Sequence, residues 1–304
     1  MTAPSGAGAG ASPADPGAEP RIVVVSDLDG TILRHEDYDA SAALPALSLL
    51  RERGIPLVIA SSKTRSEIEA IRATLGVFDP FIVENGGALL WPVGCDPPPP
   101  PEAAVAGPYG RIVYGTPYAA LREALPRIGE AIGIRLLGFG DVSSGTIADW
   151  TGLAGEALER ALRREYDEPF LPERPLAPAE EAALVEAAAG MGLRVTRGGR
   201  FHHLLGASDK ARAARDVRRG YERDGGPVRL VAAGDGANDL ELLLEADAPI
   251  VVARPDGTHT PALVAGVPHA RFTRGVGPAG FAEAISEIVL GAGSGAEAGR
   301  SARP

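Results

Sequence analysis

Two pairs of aspartates, Asp27 with Asp29 and Asp235 with Asp239, are the residues of this 304-residue chain best placed to do chemistry. Each pair follows an apolar run that is typical of a buried strand. Aspartate can act as a nucleophile towards phosphorus, and carboxylate oxygens are the ligands that Mg²⁺ prefers. The pattern predicts a phosphorus nucleophile among Asp27 and Asp29 and a magnesium site formed by Asp27, Asp235 and Asp239. Asp and Gly also form ordinary turns, and Asp235 could simply begin a helix.

Two further polar residues could hold a phosphate group. Ser61 follows the second apolar run and opens a predicted helix, where backbone N–H groups favour anions. Lys210 begins another predicted helix and would supply a positive charge. Serine often begins a helix only as a cap, and most lysines are exposed to solvent. Ser61 and Lys210 are therefore assigned to phosphate binding only because the aspartates predict a phosphate site beside them.

Alternating apolar and amphipathic segments must position these residues. The predicted buried strands are 22–26, 56–60, 81–84, 228–233 and 248–252, and the predicted helices are 41–53, 64–75, 238–245 and 281–290. Such repeated strand–helix units predict an α/β fold, a doubly wound parallel sheet covered by helices. Catalytic groups collect at the carboxyl ends of the strands in such sheets, which is where the aspartates lie.

The chain divides into a core, an insertion and two tails. Both ends are rich in Gly, Ala, Ser and Pro and have little apolar surface to bury, which predicts disorder. A mixture of strands and helices follows the proline run at 97–101 and predicts an inserted α+β domain. The predicted division is 1–20 and 292–304 as disordered tails, 21–107 and 201–291 as the core domain, and 108–200 as the inserted domain.

Composition excludes several classes of protein. Acidic residues outnumber basic ones by 40 to 30, and the net charge of −10 would repel a nucleic acid. The single cysteine, Cys95, excludes an intrachain disulfide and a cysteine-based metal cluster. No apolar run approaches the ~18 residues that cross a bilayer, and the first residues do not resemble a secretory signal. We therefore expect a cytoplasmic protein without a membrane or nucleic-acid partner.

The four polar elements, in this order, resemble the motifs of the haloacid dehalogenase-like (HAD) phosphatases. Residues 27–31 (DLDGT) match the first motif, Ser61 the second, Lys210 the third and residues 234–239 (GDGAND) the fourth. The form of the fourth motif is typical of sugar-phosphate phosphatases with a large cap between the second and third motifs. The resemblance covers about residues 21–290 and implies a Rossmann-like HAD core with 108–200 as its cap domain.

The resemblance implies hydrolysis of a phosphorylated sugar in two steps. Asp27 would attack phosphorus, and Asp29 would first protonate the leaving oxygen and then activate the water that cleaves the phospho-enzyme. Ser61 and Lys210 would hold the phosphoryl oxygens. Asn238 would orient the phosphate or a metal-bound water.

The resemblance also implies a set of ligands for Mg²⁺. Asp27, the backbone carbonyl of Asp29 and Asp235 would bind the ion directly. Asp239 would bind it either directly or through a water molecule. The five histidines show no clustered metal-ligand spacing, which makes zinc improbable.

Segments 61–65, 81–87, 164–170 and 199–203 are most similar to phosphatases that act on mannosyl-3-phosphoglycerate, the precursor of a compatible solute. A substrate with a carboxylate and sugar hydroxyls predicts basic and polar partners. The candidates are Lys63, Arg65, Arg200, Tyr166, Asp167, Glu168 and His202. His202 and His203 alternate on a predicted strand, so at most one of them faces the site.

Other functions fit the same motifs. The substrate could be glucosyl-3-phosphoglycerate or another sugar phosphate, or the enzyme could move phosphate between sugar positions as phosphomannomutases do. Release of inorganic phosphate would separate hydrolysis from such transfer. A sugar-phosphate-binding regulator is a third reading, but binding alone does not require the acid and base Asp29. The motifs do not determine the oligomeric state.

Overall fold

The structure is a computed structural model that describes residues 19–223 and 226–298. Residues 1–18 and 299–304 of the two predicted tails lie outside the described residues. The strands are β1 (Arg21–Ser26), β2 (Leu57–Ala60), β3 (Phe81–Val83), β4 (Ala88–Pro92), β5 (Ala104–Ala106), β6 (Tyr109–Val113), β7 (Leu136–Gly138), β8 (Asp167–Pro172), β9 (Arg194–Gly198), β10 (Phe201–Leu205), β11 (Val228–Gly234), β12 (Ala248–Ala253) and β13 (Arg271–Val276). The helices are α1 (Leu44–Glu52), α2 (Arg65–Leu75), α3 (Tyr118–Ile132), α4 (Ser144–Thr151), α5 (Gly155–Ala161), α6 (Pro178–Gly190), α7 (Lys210–Glu222), α8 (Leu240–Glu245), α9 (Pro261–Gly266) and α10 (Pro278–Ala298).

The core is a large sheet with the strand order β13-β12-β11-β1-β2-β3-β4-β6-β5. The strands from β13 to β3 are parallel, and β4, β6 and β5 extend the sheet in antiparallel fashion. From β1 the chain winds outward to β3 in one direction and later to β13 in the other. The predicted fold class, a doubly wound α/β sheet, is confirmed.

Helices cover both faces of the large sheet. Val24 of β1 packs in a cluster with residues of α1, α2 and α10, whereas Val23 and Val25 pack in a second cluster with residues of α7, α8 and α9. Successive strand residues point to opposite faces, so a strand covered on both sides must be apolar at every position. The continuous apolar runs in the sequence have this origin.

A second sheet, with the antiparallel order β7-β8-β10-β9, forms the cap. Helices α3 and α6 cover one of its faces through a cluster of buried apolar side chains. Members of this cluster are Leu121, Leu125, Leu184, Phe170 and Leu204. The other face is turned towards the carboxyl ends of the core strands. No helix in the described part of the chain is long and apolar enough to cross a membrane.

The boundaries of these units differ from the predicted ones in three places. β6 belongs to the large sheet, because it pairs antiparallel with β4, although it lies inside the predicted cap range 108–200. β10 belongs to the cap sheet, because it pairs with β8 and β9, although it lies outside that range. Helix α10 continues through 292–298, which were predicted as part of a disordered tail. Extending an existing helix requires no new nucleation.

Candidate active site

The carboxyl ends of three neighbouring strands carry the predicted catalytic residues. Asp27 follows β1, Ser61 follows β2 and Asp235 follows β11, and all three side chains are buried. One ligand oxygen from each of Asp27, Asp235 and Asp239 can be chosen so that all three lie within 4.8 Å of one another. The parallel topology therefore brings together residues that are far apart in sequence.

Lys210 lies among these carboxylates because of how helix α7 begins. The carboxylate of Asp209 accepts a hydrogen bond from the backbone N–H of Arg212 and caps the helix at that point. The Nζ atom of Lys210 then lies 2.6 Å from Asp27 Oδ1 and 2.7 Å from Asp239 Oδ1. Burial alone would lower the pKa of Lys210, but Asp239 and Asp27 raise it above its ordinary value. The lysine therefore remains a cation.

The turn after β3 allows α7 to approach this closely. Asn85 and Gly86 have left-handed backbone conformations, with φ of 55° and 92°. A Cβ atom on Gly86 would lie 2.3 Å from the backbone carbonyl of Asp209, so only glycine fits here. This turn is part of the 81–87 segment singled out in the sequence.

The three buried carboxylates of Asp27, Asp235 and Asp239 carry more negative charge than the ammonium of Lys210 compensates. Burial raises the pKa of Asp27 well above its ordinary value; Lys210 opposes this shift, whereas Asp239 and Asp235 add to it. Burial also raises the pKa of Asp235, and a hydrogen bond from His35 opposes that shift. A divalent cation would compensate the excess negative charge, and three carboxylates form a suitable set of hard oxygen donors. The residues present therefore fit a divalent metal.

Asp239 differs from the other two carboxylates in its contacts. Its Oδ1 accepts a hydrogen bond from Lys210, and its Oδ2 accepts the backbone N–H groups of Asp235 and Gly236 at 3.2 and 3.0 Å. In contrast, Asp27 Oδ2 and Asp235 Oδ1 accept no hydrogen bond from any described residue. Asp27 and Asp235 are thus better placed as direct ligands, and Asp239 holds the loop and Lys210 in position.

Asp29 forms an ion pair with Lys63 at the edge of the cluster. The Nζ atom of Lys63 lies 3.1 Å from Asp29 Oδ1 and 4.5 Å from the centre of the Tyr38 ring. Burial would lower the pKa of Lys63, but Asp29 and Glu67 raise it above its ordinary value. The backbone N–H of Lys63 also donates to Ser61 Oγ at 3.2 Å. Lys63 therefore links the second motif to the carboxylate predicted to be the acid and base.

A chain of side chains joins the cap to the fourth motif. His203 Nδ1 lies 2.9 Å from Asp167 Oδ2, and Asn85 Nδ2 donates to the same oxygen at 2.9 Å. Asn238 Nδ2 in turn donates to Asn85 Oδ1 at 3.2 Å. Asn238, which directly precedes Asp239, is thus linked through Asn85 to the cap.

Glu84 anchors the cap segment that leads into β8. Its buried carboxylate accepts the backbone N–H of Glu165 at 3.0 Å and that of Tyr166 at 2.7 Å. Nearby, Arg164 of the cap donates from Nη1 to the backbone oxygen of Ser62 at 2.9 Å. Core and cap are thus joined next to the second motif. Burial raises the pKa of Glu84 to about 8, and Arg164 opposes this shift.

We expect Glu84→Gln to become more stable relative to the wild type as the pH rises from about 5 to about 8. The folded pKa lies above the ordinary value of 4.5, so in this range the unfolded chain has lost a proton that the folded protein keeps. The wild type therefore loses up to about 1.4 kcal/mol of unfolding free energy per pH unit through this group. Thermal unfolding of both proteins across the range measures the difference. Parallel pH profiles would contradict the prediction and indicate that the carboxylate is ionised throughout.

Three of the predicted substrate residues make their contacts away from the aspartate cluster, namely Arg65, Tyr166 and Arg200. Arg65 is half-exposed and faces Glu69 and Glu165. The Tyr166 ring packs where a Cβ on Gly87 or Gly115 would collide with it, and its hydroxyl contacts Arg111. Arg200 follows the end of β9 at an exposed hairpin tip, and its guanidinium donates to the backbone oxygen of Thr151 at 3.2 Å. Of the three basic residues predicted to contact the substrate, Lys63, Arg65 and Arg200, only Lys63 contacts one of the aspartates predicted to be catalytic.

His202 lies on the helix-covered face of the cap sheet, with its Nε2 3.1 Å from the carboxylate of Glu181 in α6. Glu168 lies on the same face, where its Oε1 accepts the backbone N–H of Gly140 at 3.0 Å. Asp167 and His203 lie on the opposite face. Strand alternation predicted that at most one of the two histidines would face the site, and His202, the named candidate, lies on the other face.

Sequence reasoning missed the roles of His35, Asn85 and His203. His35 Nε2 lies 3.1 Å from Asp235 Oδ2, and this hydrogen bond is the main cause of a raised pKa for His35. His35 follows the first motif in a loop without helical or strand periodicity, so its sequence gives no sign of this contact. Asn85 lies in the segment 81–87, but its Asn-Gly pair predicts only a turn there.

Comparison with known proteins gives both family and fold relatives. The sequence profile of the haloacid dehalogenase-like hydrolases matches residues 24–91, which contain the first two motifs. A protein from Methanococcoides burtonii named glucosyl-3-phosphoglycerate/mannosyl-3-phosphoglycerate phosphatase is 37% identical over 268 residues, covering 88% of this chain and 97% of the relative. A protein of the same name from Persephonella marina is 36% identical over 279 residues, with the same coverage of 88% and 97%.

A solved structure extends the likeness to the fold. A subclass IIB sugar phosphatase of the HAD superfamily superposes with a TM-score of 0.61 at 15% sequence identity. The superposition covers 88% of this chain and 98% of that protein. Core and cap are therefore both parts of the shared architecture.

Proposed function

This chain belongs to the haloacid dehalogenase-like hydrolases and is a phosphoric monoester hydrolase, and from that premise we propose that it hydrolyses mannosyl-3-phosphoglycerate to mannosylglycerate and phosphate. The similarity over nearly the full length of two relatives named for the glucosyl and mannosyl substrates supports this choice. The observation that carries the chemistry is the position of Lys210 between Asp27 and Asp239, with Asp235 beside them. Glucosyl-3-phosphoglycerate is the alternative substrate, because both relatives carry both names.

In the first step of the proposed mechanism, Asp27 attacks phosphorus and forms an aspartyl-phosphate. The carboxylate of Asp27 is held in place by the ammonium of Lys210, which donates a hydrogen bond to its Oδ1. Asp29 gives a proton to the glycerate oxygen as the P–O bond breaks. This oxygen thus departs as a hydroxyl group rather than as an alkoxide.

In the second step, Asp29 accepts a proton from the water that attacks the aspartyl-phosphate. Phosphate then leaves and the carboxylate of Asp27 is restored. Lys63, with Nζ 3.1 Å from Asp29 Oδ1, holds this side chain in position for both proton transfers. One residue can serve as acid and then as base because the first step leaves it without its proton.

Lys210 and Ser61 hold the phosphoryl group during both steps. The ammonium of Lys210 is fixed by two carboxylates and would offset charge on the phosphoryl oxygens without having to reorganise. The Ser61 hydroxyl is held by the backbone N–H of Lys63 at the beginning of α2. Both groups are buried, where electrostatic interactions are stronger than in water.

Mg²⁺ would be held by Asp27, the backbone carbonyl of Asp29 and Asp235, with Asp239 positioning the loop between them. The ion would allow an anionic nucleophile to approach an anionic phosphate. His35 orients the carboxylate of Asp235 from outside this set. The charge excess of the buried aspartates supports a divalent cation here.

We expect Mg²⁺ to stabilise the folded protein as well as to support turnover. A ligand that binds only the folded state at about 100 times its Kd adds roughly 2.7 kcal/mol to the unfolding free energy. Thermal unfolding with EDTA and with saturating Mg²⁺ measures this shift. Asp235→Asn should remove most of the shift, whereas Asp256→Asn, at an exposed loop, should retain it. An equal Mg²⁺ shift in wild type and Asp235→Asn would remove Asp235 from the metal site.

A panel of phosphorylated substrates tests the proposed function. The purified protein is assayed for inorganic phosphate release from mannosyl-3-phosphoglycerate, glucosyl-3-phosphoglycerate, mannose 6-phosphate, sucrose 6-phosphate and 3-phosphoglycerate. We expect the highest kcat/KM with mannosyl-3-phosphoglycerate. A higher value with a sugar phosphate that lacks the glycerate would overturn the assigned substrate.

A further inference from the structure

We propose that His203 is a substrate-recognition residue whose imidazole Nε2 accepts a hydrogen bond from a hydroxyl group of the sugar. This inference rests on the proposed function, because it assumes a sugar-bearing substrate in the same site. It deepens that function by naming the group on the cap that reads the sugar, and it replaces His202 in that role.

The strand register places His203 on the face of the cap sheet that meets the core. His203 pairs with Pro169 across β10 and β8, and His202 pairs with Phe170. The His202 ring stacks on Phe170 at 5.3 Å between ring centres, on the side covered by α3 and α6. Neighbouring residues of a strand point to opposite faces, so the His203 side chain is directed towards the core.

His203 lies next to the loop that carries Asp235 and Asp239. A Cβ atom placed on Gly198 would lie 3.6 Å from His203 Nε2 and 3.8 Å from the side-chain carbon and nitrogen of Asn238. The hydrogen-bonded chain from Asp167 through Asn85 to Asn238 fixes this arrangement from the other side. A sugar joined to a phosphate at the aspartates would therefore come within reach of the imidazole.

The hydrogen bonds around Asp167 determine what His203 can do. A carboxylate only accepts hydrogen bonds, so the imidazole Nδ1 must carry the proton that Asp167 receives. Arg164 also faces this carboxylate, with Nη1 3.7 Å from Asp167 Oδ2. When the imidazole carries its one proton on Nδ1, Nε2 is an acceptor, and no described residue donates to it. Its natural partner is a hydroxyl group, because ionised phosphate and carboxylate groups have no proton to donate.

An aromatic surface beside His203 points to the ring of a sugar as the source of this hydroxyl. Phe201 shares the face of His203 and contacts Phe139 at 5.1 Å and Trp150 at 6.4 Å between ring centres. Phe201 and Trp150 are only partly buried, so this surface is open to a ligand. Aromatic faces next to a few convergent polar groups are typical of sites for small ligands with apolar and polar sides.

The test compares His203→Ala with the wild type on two substrates, mannosyl-3-phosphoglycerate and p-nitrophenyl phosphate, which has no sugar. Loss of one hydrogen bond predicts a roughly tenfold lower kcat/KM for the sugar substrate, mainly through KM, and less than a twofold change for the other. His202→Ala is the matched control: it changes the neighbouring histidine, which is equally buried but faces α6. This control should leave the ratio of the two kcat/KM values within twofold of the wild type.

Asp167→Asn provides a second test that keeps His203 in place. The asparagine can accept from Asn85 Nδ2 through its oxygen and donate its NH₂ to His203 Nδ1, which moves the imidazole proton to Nε2. We expect a selective loss on the sugar substrate, since Nε2 then donates and the hydroxyl group must turn to accept, away from the orientation that it has in the wild type. If His203→Ala does not fold, as judged by circular dichroism, this variant decides alone.

The outcomes separate this inference from the proposed function. Equal losses on both substrates, or no loss in Asp167→Asn, would overturn the role of His203. Failure of the wild type on both glycosyl-3-phosphoglycerates would overturn the assigned substrate instead. The same pair of variants would then be compared on the best sugar phosphate of the panel, where a selective loss is still expected.

Discussion

Replacing Asp27 with asparagine should reduce kcat by roughly four to six orders of magnitude while leaving the protein folded. An amide oxygen is a poor nucleophile towards phosphorus, so the aspartyl-phosphate cannot form. The measurement is phosphate release from the best substrate, together with intact-protein mass after acid quench, which should detect no phosphorylated species. A variant with more than about 1% of wild-type activity would contradict the proposed mechanism.

The fold should survive this change because the carboxylate of Asp27 is costly where it lies. Burial and the neighbouring aspartates raise its pKa, so a neutral side chain of the same shape removes an unfavourable charge. Lys210 keeps its second partner, Asp239, at 2.7 Å. We therefore expect a thermal midpoint in EDTA that is equal to or higher than that of the wild type. Asp37→Asn, at an exposed ion pair, is a control that should affect neither activity nor stability.

The positions of Asp27, Ser61 and Asp235 could be predicted because they depend only on where the buried parallel strands end. A strand buried on both faces leaves an apolar run in the sequence, and the run ends where the strand ends. In a parallel sheet all such ends lie at one edge, so Asp27, Ser61 and Asp235 meet whatever the details of the loops. The structure agrees with this expectation for each of the three.

The cap residues could not be predicted in the same way, because their direction depends on strand register. A shift of one residue in the pairing of β10 with β8 would exchange the faces of His202 and His203. Tyrosine often contacts ligands, which made Tyr166 a candidate. Its ring instead packs against Gly87 and Gly115, where the absence of a Cβ atom leaves room for it. No spacing rule within the sequence contains that information.

Weakly apolar edge strands were missed for a related reason. β5 exposes all three of its residues and pairs with the edge of β6, so its Ala-Val-Ala run is too short to distinguish it from a loop. The contact of His35 with Asp235 likewise arises from the path of a loop between β1 and α1. Both features are consequences of tertiary structure and have no local signal.

Asp29 holds a different position from Asp27, and this difference leads to a second large effect. It lies next to Lys63 rather than Lys210, and about a quarter of its side chain remains exposed to solvent. It can therefore exchange protons with the leaving group and with water, while Asp27 is held among the buried carboxylates. Its replacement should spare the nucleophile and affect the proton transfers.

Asp29→Asn should lower kcat for the sugar phosphate by roughly 10²- to 10⁴-fold, because one residue serves both proton transfers. With p-nitrophenyl phosphate the leaving group needs little help from an acid, so the first step should be largely restored. The second step still lacks its base, so phospho-enzyme should accumulate, as a burst of p-nitrophenol followed by slow turnover. Intact-protein mass after acid quench should detect the phosphorylated variant, with Asp27→Asn as the control that cannot form it. An equal loss on both substrates, without a burst or a trapped phospho-enzyme, would show that Asp29 is not the acid and base.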